Sequence, residues 1–145
     1  MKLNPTPVAS GPRVAHWSMM NGSGLAAMAR VICEAEVRSG LASVLCNAHD
    51  ETTWAPAIEC DVHVCHVHFP DKARKWLKRP SKIVWIGHGT PEYTFHSSVS
   101  AGGAGKYGFG DSFMLMQHWL QCADARVTFW PRHQALYQTM VDKGT

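Results

Sequence analysis

Residues 13 to 46 constrain the fold more than any other stretch. They read Arg13-Val-Ala-His-Trp-Ser-Met-Met-Asn-Gly-Ser-Gly-Leu-Ala-Ala-Met-Ala-Arg-Val-Ile-Cys-Glu-Ala-Glu-Val-Arg-Ser-Gly-Leu-Ala-Ser-Val-Leu-Cys46. Val14 to Ser18 is short and apolar, as a buried parallel strand requires. Asn21-Gly22-Ser23-Gly24 then breaks the run, because a sharp strand-to-helix turn demands backbone angles that glycine adopts cheaply. From Leu25 the apolar residues Leu25, Met28, Ala29, Ile32 and Ala35 recur at helical spacing, with Glu34 and Arg38 as an i,i+4 pair on the wetter face. Ser39-Gly40 ends the helix, and Leu41 to Cys46 supplies the next strand. A βαβ unit with glycines at its first turn points free backbone N–H groups above the sheet, an arrangement suited to an anion such as phosphate. The competing reading is that Gly22 and Gly24 serve turn geometry alone.

The chain has 145 residues, enough for one α/β domain and its core but not for two. Apolar residues make up 46% and charged residues 17%, the balance of an ordered globular protein. No run of apolar residues is long enough for a membrane span. Residues 1 to 12 lack the apolar core of a signal peptide and read as a flexible, proline-containing lead-in to a domain over 13–145. The five cysteines (Cys33, Cys46, Cys60, Cys65 and Cys122) are odd in number and sit mostly in apolar segments, which points to a reducing cytoplasm.

The formal charge of +3 is concentrated. Lys72, Arg74, Lys75, Lys78, Arg79 and Lys82 crowd into one segment with only Asp71 opposing them. A helix over 71–78 would turn Ala73, Trp76 and Leu77 inward and the cations outward. Such a face is either simply solvated or meets an anionic surface through Lys72, Arg74, Lys75, Lys78 and Arg79. Residues 47 to 59 show no period and carry Trp54-Ala-Pro56, so they read as loop, and the Glu51 and Glu59 spacing reads as coincidence.

Asp61-Val-His-Val-Cys-His-Val-His-Phe-Pro70 is β-branched and ends in proline, as a strand would. Alternation puts His66 and His68 on one face and His63 and Cys65 on the other. His66 and His68, with His88 as a third ligand, make a conceivable metal set; lining a cleft is the reading preferred here, with no metal assigned. Lys82 to Gly87 is a buried strand that runs into His88-Gly-Thr-Pro-Glu92. Open α/β sheets bind ligands at that carboxyl edge, so His88 stands over the crevice and could serve as acid, base or hydrogen-bond donor. Tyr93 to Gly110 is glycine- and serine-rich and reads as a long loop. Asp111 caps a helix over 112–122, Arg126 to Phe129 is a strand, and Pro131 opens a last helix through Val141.

The order of these parts resembles the N-terminal domain of GT-B-fold glycosyltransferases, in particular the retaining group of glycogen-synthase-like and mannosyl-transferring enzymes. The resemblance rests on the strand, glycine turn and helix at 13–40, on Asp61 to Pro70, on Ile83-Val-Trp-Ile-Gly-His-Gly-Thr-Pro-Glu92, and on Cys122-Ala-Asp-Ala-Arg-Val-Thr-Phe129. It implies a single Rossmann-like three-layer sandwich with a mostly parallel sheet. It implies that Gly22, Ser23 and Gly24 lie near the donor diphosphate and His68 on the acceptor side of the cleft. It makes His88 the histidine that contacts the transferred sugar, with Thr90 and Glu92 shaping the same rim. The implied activity is transfer from a nucleotide-sugar, which is a substrate, with no resident cofactor. A second, donor-binding Rossmann-like domain belongs to that family and is not read in this chain, so a donor-domain subunit or a second copy is the expected partner beside the sugar acceptor. The alternative is a non-catalytic glycosyltransferase-like module that binds a sugar, a nucleotide or an anionic polymer. A third reading is an unrelated metal-dependent hydrolase built on His66, His68 and His88.

Overall fold

The structure is a computed structural model, and it describes residues 11–20, 22, 24–66, 71–88 and 121–142. Five strands form one sheet in which every pairing is parallel: β1 (Arg13–Ser18), β2 (Ala42–Asn47), β3 (Val62–Cys65), β4 (Lys82–Gly87) and β5 (Ala125–Thr128). The described helices are α1 (Gly24–Arg38), α2 (Ala55–Ile58), α3 (Asp71–Arg74) and α4 (Pro131–Asp142), with a 3-10 turn at Glu51–Thr53. Spatial order is β2-β1-β3-β4-β5, which gives a Rossmann-like α/β sheet of the 2-1-3-4-5 kind. In this order the chain leaves β1 toward one side and β3 toward the other. The crevice opens between the carboxyl ends of those two strands.

The β1 strand is buried on both faces. Its burial is continuous from Val14 to Ser18, with Ala15, Trp17 and Ser18 fully enclosed. Alternation sends Ala15 and Trp17 to one face and Val14, His16 and Ser18 to the other. The Trp17 face carries the larger core, with Cys46, Trp54, Ala57, Cys60, Cys65, Leu77, Trp85 and Tyr137. Trp17 meets Trp54 edge-on at 5.9 Å, and Trp85 meets Tyr137 of α4 at 4.9 Å. Each aromatic of this kind removes a large apolar area from water, worth about 1.5–3 kcal/mol apiece. The opposite face holds a smaller cluster of Val14, Val64 and Ile86.

Two carboxylates close the amino edge of the sheet. Asp61 accepts from the Arg13 backbone N–H at 3.0 Å and pairs with Lys78 at 2.7 Å. Asp124 accepts from the Ile83 N–H at 2.9 Å and from Lys82 at 2.9 Å. Edge backbone groups that would otherwise lack partners are thereby satisfied. Gly22 and Gly40 have φ of 74° and 90°, which explains glycine at the turn into α1 and at its end.

Three expectations from the sequence are corrected. The inward face of α1 is Ala26, Ala29 and Cys33, with Leu25, Ile32 and Glu36 half-buried, while Met28 and Ala35 point outward. The helix is thus rotated from the apolar stripe, because a small-residue face approaches the sheet more closely and Glu36 finds a polar partner beneath it. Residues 51–58 are helical turns and supply Trp54 and Ala57 to the core. The basic helix stops at Arg74, and Trp76 lies 49% exposed, under Lys72, instead of facing inward. Of the strand expected over 61–70, Val62 to Cys65 is strand and residues 67–70 lie outside the described residues; of the helix expected over 112–122 only residues 121 and 122 are described, both helical.

Candidate functional site

A buried row of hydrogen-bonded side chains crosses the sheet at the β1/β3 crevice. Its inner end is Glu36 on α1, whose Oε2 accepts from the Ser43 hydroxyl of β2 and lies 2.7 Å from His16 Nε2. His16 Nδ1 lies 2.9 Å from His66 Nε2, and His66 Nδ1 lies 2.8 Å from His88 Nε2. Successive ring centroids are 5.2 and 5.0 Å apart. The row reaches from the interior of β1 to the residues that follow β3 and β4. It therefore ends at the carboxyl edge of the sheet.

Each member is held there by the strand it belongs to. His16 sits opposite Leu45 and Val64 in register, and it is 1% exposed. The His66 N–H bonds to the Trp17 carbonyl at 3.0 Å, which continues the β1/β3 ladder by one residue and fixes the ring over the crevice. His66 is 4% exposed whereas Glu36 and His88 are half-buried, so the row is dry at its middle and wetter at both ends.

Burial sets the electrostatics. It pushes His66 down to about 3, with His16 and His88 adding to the effect, since each neighbour's charge would oppose a second one. Burial also lowers His88 below the ordinary histidine value. Both rings are neutral near pH 7, and a neutral imidazole offers one donor and one acceptor. On the other face, His63 is pushed down to about 4 by burial and accepts from the Trp17 indole at 3.2 Å. His63 belongs to the packed core and not to the rim.

Beyond His88 the rim is aromatic. The His88 ring lies 5.4 Å from Phe129, which lies 5.8 Å from Trp130, which in turn lies 4.9 Å from His133. Phe129 and Trp130 are about half exposed. Flat, partly exposed apolar faces thus stand beside a polar tip.

The structure brings some of the expected residues together and leaves others undescribed. Gly22 and Gly24 follow β1 and His88 follows β4, so all three stand at the carboxyl edge. Ser23, His68, Thr90 and Glu92 lie outside the described residues. Among the described residues no group of three or more His, Cys, Asp or Glu side chains is arranged to hold a metal. His16, His66 and His88 spend nitrogens on one another instead. In the basic segment, Lys72, Lys78 and Lys82 form ion pairs with Glu51, Asp61 and Asp124 at 2.7, 2.7 and 2.9 Å. At least half of the cations counted there are thus answered within the chain. Among the described residues no helix is long and apolar enough to cross a membrane.

The chain matches no family model, no curated protein and no solved structure. The fold therefore rests on its own geometry, a Rossmann-like parallel α/β sheet with a polar row at its switch point. Two of the row's members, His16 and Glu36, were not singled out from sequence. The available signal was a histidine inside an otherwise apolar strand, which must find a partner once buried. The helix facing it carries a carboxylate at Glu36, one turn beyond Cys33.

Proposed function

We propose that this chain is the acceptor-side, N-terminal lobe of a GT-B-type glycosyltransferase that transfers a sugar from a nucleotide-sugar donor. The observation that carries the reading is the position of His88: at the carboxyl rim of a parallel sheet, beside the switch-point crevice, and backed by a buried hydrogen-bonded row. The run Ile83 to Glu92 resembles the motif of such enzymes, in which His88 matches the histidine that contacts the transferred sugar. The exposed Phe129 and Trp130 beside His88 add a surface on which a sugar ring could lie. The glycine turn at Gly22, with φ of 74°, stands at the same edge and suits a diphosphate approached by backbone N–H groups. The finer architecture that goes with this reading is a three-layer sandwich facing a second nucleotide-binding lobe.

The reading is tested by release of nucleoside diphosphate from a panel of nucleotide-sugars. The protein is assayed alone and with a separately supplied donor-binding lobe, in the presence of simple sugar acceptors. Turnover is expected with at least one donor, falling about 100-fold or more in His88→Ala while the melting curve changes little. Absence of both turnover and nucleotide-sugar binding across the panel would overturn it.

A further inference from the structure

Neutral imidazoles joined in a row can point their protons in only one of two directions, and the end of the row decides which. Here the inner end is a carboxylate oxygen of Glu36, which accepts and cannot donate. While all three rings are neutral, His16 places its proton on Nε2, leaving Nδ1 as the acceptor for His66 Nε2–H. His66 Nδ1 is then the acceptor for His88 Nε2–H. With its proton committed inward, His88 keeps the lone pair on Nδ1, across the ring from His66.

We infer that Glu36, His16 and His66 are positioning residues that set the polarity of His88, so that its Nδ1 meets a hydrogen-bond donor of the ligand, a sugar hydroxyl and not a phosphate oxygen. The hydroxyl class rests on the proposed function, whereas the polarity of the row does not. The same geometry says what one added proton does. Entering from solvent at His88 Nδ1, it releases Nε2–H to His66 Nδ1, and His66 releases its Nε2–H to His16 Nδ1. Three N–H bonds form and two break, and the single positive charge ends on His16 against the Glu36 carboxylate. His66 and His88 have then reversed, His16 holds both protons, and His88 has become a donor without itself holding charge.

The groups that face the row bear this out. From α1 come Glu36 and, one turn earlier, the buried Cys33 thiol, whose pKa burial raises and Glu36 raises further. From β2 comes the uncharged Ser43, and from beyond β5 the ring of Phe129. Among the described residues, Glu36 is the only carboxylate bonded to the three rings, so a proton passed along the row comes to rest against it, at the far end from the ligand.

The test is ring-nitrogen NMR on the whole protein labelled in its histidines, followed from pH 8 downward. At pH 8 all three rings are expected as Nε2–H tautomers. On acidification His16 is expected to gain both protons while His88 exchanges Nε2–H for Nδ1–H and never carries both. In Glu36→Gln, which keeps the side chain's size and an acceptor oxygen, the pH of that exchange is expected to fall by about one unit or more. A His88 found as the Nδ1–H tautomer at pH 8, or charged before His16, overturns the inference, as does an unchanged exchange in Glu36→Gln. Because the readout needs no substrate, a correct polarity with no sugar turnover sinks only the glycosyltransferase reading.

Discussion

His66 Nδ1 and His88 Nε2 lie 2.8 Å apart, joining a ring enclosed in the sheet to one half-open at its rim. Through this contact the carboxyl edge is mechanically and electrically continuous with the β1/β3 interior. A ligand touching His88 therefore meets a side chain whose orientation is decided two residues deep in the fold.

Cutting the row at its centre should cost more than cutting it at its end. His66→Leu leaves both His16 Nδ1 and His88 Nε2 without their partner, and the expected loss is about 2–4 kcal/mol of stability. His88→Ala removes a half-buried ring and is expected to cost under about 1.5 kcal/mol. Urea unfolding of the two variants beside the parent checks the order.

Gly87→Ala should be destabilising by about 1–3 kcal/mol. A Cβ at that position would come within 2.7 Å of the Trp85 ring and 2.9 Å of Tyr137, both packed in the core. Both rings are enclosed by other core residues, so the added Cβ must displace them or β4, and His88 is the next residue along the chain. Thermal melting and the His88 ring-nitrogen signals should change together.

Stability should decline on mild acidification, before any carboxylate titrates. His63 and His66 are held at about 4 and about 3 in the folded chain, against 6.5 ordinarily. A histidine lowered on folding stabilises fully above its unfolded value. That contribution is lost progressively as pH falls from 6.5 toward the folded value, on the order of 1 kcal/mol per pH unit for each. His63→Asn, which keeps an acceptor for the Trp17 indole, should flatten the decline in urea midpoints between pH 7 and pH 5. Asp124, held below its ordinary 3.8 by the Ile83 N–H and then by Lys82, adds a further loss only as pH drops through and below that value.

Thiol reactivity should divide the five cysteines sharply. Cys122 is exposed, whereas Cys33, Cys46, Cys60 and Cys65 are buried. Burial pushes Cys46 up to about 11 and raises Cys33, Cys60 and Cys65 as well, so little thiolate forms at neutral pH. Titration with an aromatic disulfide reagent should modify one thiol rapidly in the native protein and the rest only after denaturant is added. Cys122→Ser should abolish the fast phase.

Local sequence determined the strands and the first helix because their signals are short-range. The β-branched run before Cys65, the stretch Lys82 to Gly87, the glycines at 22 and 40 and Pro131 each act on their own few residues. It also located His88, since a histidine that ends a buried strand of a parallel sheet must stand at the carboxyl edge. Tertiary structure alone decided the strand order, the rotation of α1 and the row that follows from them. His16 and His66 are fifty residues apart and His16 and Glu36 twenty, and no periodicity links them. They meet because β3 pairs with β1 and a small-residue helix face settles on that pair. A buried histidine had to find a partner somewhere, but only packing could choose which one.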